Sequence, residues 1–140
     1  MAFEPAFADT SFFFALAAKR DRTHEPAVKA FTRLLRLQRP LVTTDYVLDE
    51  TLTLTKARTS AKVALALLDR IESSPALSIQ HITHDRFAAA KAFFRKHADH
   101  GYSFTDCTSF VLMHEMEIRD VLTTDGHFAE AGFRTLLKLS

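Results

Sequence analysis

The sequence predicts an α/β fold, a three-layer α/β/α sandwich around a central parallel sheet. Three observations carry that expectation. Short apolar runs recur along the chain, at residues 5–9, 41–43, 77–82 and 121–123. Stretches with helical apolar spacing separate them. A hydroxyl side chain stands where most of those helices should begin, as an N-cap requires. Strands that alternate with helices build βαβ units, whose sheet is parallel, covered on both faces and joined by right-handed crossovers.

Residues 5–9 read as the first strand, and Thr10 or Ser11 can cap a helix running to about Arg20. Residues 24–38 form a second helix, with Val28, Phe31, Leu34 and Leu35 at helical spacing and basic residues opposite; Pro40 stops it. Residues 41–43 are a strand, after which Thr44 caps a helix through Tyr46, Val47, Leu48 and Leu52. Ser60 caps the next, with Val63, Ala64, Leu67, Leu68 and Ile71 on one face. Residues 77–82 alternate as a strand, and Thr83 caps a helix carrying Phe87, Ala90, Phe93 and Phe94. Thr105 is the expected cap of a helix with Phe110, Val111, Met113 and His114; residues 121–123 and 135–139 are the last strands.

The chain has 140 residues, the size of one domain over 1–140, and shows no linker, repeat or low-complexity segment. Hydrophobic residues make up 47%, so the chain is globular. With 13 Phe and no Trp, the core should be phenylalanine-rich. The single cysteine, Cys107, allows no internal disulfide, in keeping with a reducing cytoplasm. No apolar stretch approaches the roughly 20 residues that span a bilayer, and no signal-peptide pattern opens the chain, so a membrane partner is not expected.

Four acids stand where a strand ends or a helix begins: Asp9, Glu50, Asp106 and Asp125. In an open α/β sheet such places converge on one edge. Converging carboxylates repel one another, and a divalent cation is the natural resolution. Each acid also has a plainer use. Asp9 could be a helix cap, although Thr10 and Ser11 could cap equally well, and a carboxylate ending a buried strand is costly unless paired. Glu50 could be a surface residue beside Asp49. Asp106 could serve a helix dipole, and Asp125 could be a turn residue before Gly126.

The stretches Phe7-Ala8-Asp9-Thr10-Ser11, Thr44-Asp45-Tyr46-Val47-Leu48-Asp49-Glu50-Thr51, Ser103-Phe104-Thr105-Asp106-Cys107 and Val121-Leu122-Thr123-Thr124-Asp125-Gly126-His127-Phe128 occur in the order found in PIN-domain ribonucleases. Over essentially the whole chain the sequence resembles that family, most closely the toxins of VapBC toxin–antitoxin modules. The resemblance implies a PIN-like sandwich, dependence on Mg²⁺ or Mn²⁺, and cleavage of RNA leaving 5′-phosphate and 3′-hydroxyl ends. It places the family's acids on Asp9, Glu50, Asp106 and Asp125, with Thr105 as the hydroxyl before the third. It implies an RNA substrate and a cognate VapB-type antitoxin.

Mg²⁺ takes oxygen ligands and is held by one or two carboxylates plus substrate phosphate. Asp9 and Asp106 are the expected ligands, with Asp125 and Glu50 holding a second ion or orienting water. Thr10, Ser11 and Thr105 are expected to fix the carboxylates by hydrogen bonds. Without metal, at least one carboxyl pKa should be raised.

Net charge is +1, but residues 1–70 hold 11 Lys/Arg against 8 Asp/Glu and residues 71–140 hold 7 against 9. That polarity falls short of a dedicated nucleic-acid binder's basic stripe. Basic residues at 19–22, 33–39 and 56–62 could guide RNA to the cleft. The seven histidines lack a cysteine pair, and their spacing does not define a zinc site; His127, beside Asp125, could touch substrate. Cys107 reads as a small buried residue. Phe12, Phe13 and Phe14 diverge by roughly 100° each, so one should face another surface; with Tyr46 and the apolar helix near 60–71 this suggests a homodimer or an antitoxin groove. An aspartyl-nucleophile phosphatase would want a second acid where Ser11 stands. A receiver domain would want an acidic pair before Asp9. A PIN-like RNA-binding or scaffold module without cleavage is the alternative to the nuclease.

Overall fold

The computed structural model describes residues 4–137. Five strands form a single parallel sheet in the order β3-β2-β1-β4-β5. They are β1 Ala6–Ala8, β2 Leu41–Thr44, β3 Leu77–Gln80, β4 Asp120–Leu122 and β5 Arg134–Thr135. β1 is central: Phe7 sits opposite Val42 on one side and Val121 on the other. It is buried throughout, as is β4, so these strands read as continuous apolar runs.

Among the described residues seven helices cover the sheet: α1 Thr10–Ala17, α2 His24–Arg36, α3 Asp45–Arg58, α4 Ala61–Ser73, α5 His84–Lys96, α6 Phe104–Glu115 and α7 Gly126–Glu130. The chain winds outward from β1 through β2 to β3, then returns to lay β4 on the other side of β1. Right-handed crossovers therefore put α1 to α4 on one face and the later helices on the other. The switch point lies between β1 and β4, where a parallel sheet opens a crevice at its C-terminal edge. Phe7, Phe12, Phe110 and Phe128 fill the core without exposure. Phe110 meets Phe128 edge-on at 4.9 Å and Tyr102 at 5.0 Å.

The caps expected at Thr44, Ser60 and Thr83 accept the backbone N–H of Val47, Val63 and Arg86. Several local expectations need correction. α1 is preceded by Asp9 at the N-cap rather than Thr10 or Ser11, and ends at Ala17 rather than near Arg20. α6 is capped by Ser103, not Thr105, because Ser103 and Asp106 close a reciprocal capping box. Residues 126–130 form a short helix, not the turn that Asp-Gly suggests. β5 lies at Arg134–Thr135, before most of the expected 135–139 strand; residues 138 and 139 fall outside the described residues. The second helix stops at Arg36, since Gln38 takes a left-handed φ of 55° ahead of Pro40.

At the opposite end of the sheet Asp120, fully buried at the start of β4, is gripped by two arginines. Arg134 donates from Nε and Nη2 at 2.7 and 2.8 Å, and Arg39 from Nη2 at 2.7 Å. These bonds, Arg134 foremost, hold its carboxyl below the usual range. The sequence reading passed over this acid, and its role is to lock β5 and the β2 entry onto β4.

Candidate active site

Asp9 ends β1 with its side chain almost wholly buried (5% exposed). Although it occupies the N-cap of α1, its carboxylate makes no capping bond. Instead Oδ2 accepts from Thr123 Oγ1 at 2.9 Å and from Ser11 Oγ at 3.3 Å. Ser11 Oγ also accepts from the Thr124 amide, and Thr123 Oγ1 from the Asp125 amide, both at 2.9 Å. This network sews the C-terminal ends of β1 and β4 together at the switch point. Among the described residues no Lys, Arg or His lies within ion-pair distance of Asp9. Burial pushes its pKa up to about 7 against the pull of the Thr123 and Thr10 hydrogen bonds, with repulsion from Asp106 and Glu50 adding to the rise.

Asp106 sits in the first turn of α6, 7% exposed. Its Oδ2 accepts the Ser103 amide at 3.0 Å and lies 3.1 Å from His127 Nδ1. Burial raises its pKa; the Ser103 amide and His127 oppose this, while Asp125 adds repulsion. Asp125 is the N-cap of α7, its Oδ1 accepting the His127 amide at 2.9 Å. Glu50 projects from the second turn of α3 and is exposed. All four acids line one open cleft of about 240 Å³, with Ser11, Leu54, Gly101 and His127 among its other walls. Two carboxyl groups in it are thus raised, chiefly by burial and to a lesser degree by their neighbours' charge.

The donors were not all foreseen. Ser11 does reach Asp9, but Thr10 Oγ1 turns away to Val47 O and Thr51, and Thr105 supplies only its carbonyl, to Thr108. Thr123 takes the role expected of them. His127 enters the cleft with Nδ1 facing both Asp106 and Asp125, the latter at 3.4 Å. Burial works against its charged form, yet the Asp106 hydrogen bond and the surrounding carboxylates leave its pKa raised. Gly101 makes room for the ring: a Cβ there would come within 3.2 Å of His127 Nε2. Cys107 is buried, and burial pushes its thiol up to about 11, which leaves it inert as a nucleophile.

The donor set suits a divalent cation. It consists of carboxylate oxygens, one of them buried without a cation, and Asp106, Asp125 and His127 offer donor atoms within 4.8 Å of one another.

Fold and site together define a doubly wound α/β protein with a carboxylate-centred cleft at its switch point. The chain belongs to the PIN-domain family, whose model matches residues 6–134. It is 36% identical over 128 residues to the 23S rRNA-specific endonuclease VapC20 of Mycobacterium tuberculosis strain CDC 1551 / Oshkosh, covering 91% of this chain and 94% of that one. The VapC20 of strain H37Rv matches to the same extent. The crystal structure of M. tuberculosis VapC20, a sarcin–ricin loop cleaving toxin, superposes with a TM-score of 0.81 at 34% identity, covering 91% of this chain and 95% of that one. The protein is accordingly a nuclease of a family that works with divalent metal ions. No described helix is long and apolar enough to cross a membrane.

Proposed function

We propose that this protein is a metal-dependent endoribonuclease and the toxin of a type II toxin–antitoxin pair, acting in the cytoplasm as one domain over residues 1–140. Its substrate would be 23S rRNA at the sarcin–ricin loop, the target named for VapC20. A VapB-type antitoxin would be its partner, and a homodimer its assembly. The observation that carries the reading is the meeting of Asp9, Glu50, Asp106 and Asp125 in one cleft from four separate places in the chain.

Asp9 and Asp106 are the proposed ligands of Mg²⁺ or Mn²⁺. Asp9 is oriented through Oδ2 by the Thr123 and Ser11 hydroxyls, and Asp106 through Oδ2 by the Ser103 amide. Asp125 and Glu50 stand on the cleft wall to hold a second ion or to accept protons from the attacking water. A metal ion bound there would polarise the scissile phosphate and lower the pKa of its coordinated water. The buried acids contribute fixed negative charge in a site of reduced solvent access, where charge interactions are strengthened.

Ribosomes incubated with the purified protein and Mg²⁺ or Mn²⁺ should show a discrete 23S rRNA cut bearing 5′-phosphate and 3′-hydroxyl ends. EDTA and Asp9→Asn should abolish it. Equal inactivity of wild type and variant across RNA classes with either metal would leave an RNA-binding module in its place.

A further inference from the structure

Among the described residues, every charged side chain lining the cleft wall apart from His127 is acidic, yet a ribonuclease must hold a polyanion against that wall. The missing positive charge lies one helical turn beyond it. On α3, Glu50 and Leu54 line the cleft, and Arg58 follows at the same four-residue step, on the same face. On α1, Ser11 lines the cleft and Phe14 lies three residues further on, again on the same face. The two stripes meet where the Arg58 guanidinium sits over the Phe14 ring, 5.7 Å from its centroid. Phe12 and Phe13 are buried, so Phe14 is the member of the aromatic run that turns outward.

Resting on the nuclease reading, we infer that Arg58, seated on Phe14, grips a phosphate of the RNA strand as it leaves the acidic centre. Arg58 is exposed and has no ion-pair partner among the described residues. The acid that feels it, Asp21, is bound instead to the amide and hydroxyl of Thr23. A guanidinium held over an aromatic face keeps donors free and loses little further freedom on binding a phosphate. Half-buried Leu54, on the cleft wall, and half-buried Phe14, under Arg58, offer apolar surface on which sugar and base can lie without competing for the cation.

The test measures binding of a fluorescein-labelled sarcin–ricin hairpin by anisotropy over a salt series, with Mg²⁺ present and cleavage blocked by Asp9→Asn. Arg58→Met is added, since methionine keeps Phe14 covered but removes the charge. Binding should weaken about tenfold, and the slope of log affinity against log salt should shrink by about 0.7, the value of one phosphate contact on single-stranded nucleic acid. Arg58→Lys should restore most of the slope. In the cleaving protein Arg58→Met should raise KM with little change in kcat. An unchanged slope and affinity, with the parent binding RNA, would overturn the Arg58 assignment alone. A parent that does not bind the hairpin would overturn the proposed sarcin–ricin substrate and this inference with it.

Discussion

Thr123 Oγ1 donates to Asp9 Oδ2 at 2.9 Å across 114 residues of sequence, and accepts the Asp125 amide with the same oxygen. One hydroxyl therefore sets both the buried acid at the end of β1 and the cap of α7. Thr123→Val keeps the shape and removes both bonds. Metal affinity or kcat should fall tenfold to a hundredfold. Stability should fall by about 1–3 kcal/mol, the cost of an unmet buried polar group. Calorimetric Mn²⁺ titration and urea unfolding check the two effects, and wild-type metal affinity in the variant would refute the orienting role.

Asp9 carries a carboxyl whose pKa is raised by burial from 3.8 to about 7. A raised acid binds its proton more tightly in the folded chain, so stability without metal should decline as pH climbs from about 4 to about 7. At about 1.4 kcal/mol per unit, the penalty above pH 7 is on the order of 4 kcal/mol. Asp106 acts in the same direction. In EDTA, Asp9→Asn should be more stable than wild type at pH 7.5 and nearly equal to it at pH 4. A stability difference that does not vary with pH would contradict the burial argument.

Divalent metal should reverse that penalty. At a hundred times its Kd, Mg²⁺ or Mn²⁺ should stabilise the fold by about 2.7 kcal/mol. Because protons compete for the same oxygens, metal affinity should weaken steadily below pH 7. Thermal midpoints measured with and without metal at pH 6 and 8 read both effects. Asp9→Asn should remove most of the response.

Asp120 behaves in the opposite sense. Its lowered pKa contributes stability that is present above about pH 4 and is lost as pH falls through the folded value. Asp120→Asn leaves Arg39 facing a neutral partner and should cost about 2–4 kcal/mol. At a temperature where the variant is folded, cleavage should stay near the wild-type rate, because the residue lies at the end of the sheet away from the cleft. A selective loss of cleavage would show that the two ends are coupled.

Gly101→Ala brings a Cβ to 3.2 Å from His127 Nε2, so the ring must give by a few tenths of an ångström. Asp106 and Asp125 both face that ring, so Mn²⁺ affinity should drop several-fold while the thermal midpoint stays nearly constant. Histidine NMR shifts and metal titration would detect the change. Unaltered shifts would free Gly101 from any part in seating the ring.

The parallel sheet was legible because its strands are short, apolar and regularly separated by helical periods, and because Thr44, Ser60 and Thr83 cap as hydroxyls do. Asp9 and Asp125 were legible because strand ends in such a sheet share an edge, and Asp106 because it opens a helix; Glu50, in the second turn of α3, was legible through the family resemblance. Other features depended on contacts that no local pattern carries. Ser103 capped α6 in place of Thr105 because Asp106 answered it from the third helical position. Asp-Gly reads as a turn, and five residues of α7 are too few to show a period. His127 reached the site only because that helix starts at Gly126, directly after its cap Asp125. Asp120 gave one faint signal, an acid flanked by Arg119 and the apolar pair Val121-Leu122, while its partner Arg39 lies 81 residues away.

The capping box of α6 bears on how this chain can be disarmed. Asp106 does double service, seating its helix through the same oxygen that faces His127, so a spontaneous change there loosens the scaffold as well as silencing the enzyme. Asp9 caps nothing. A single base change to asparagine at that position would therefore silence the cleft while leaving every helix cap of the scaffold in place.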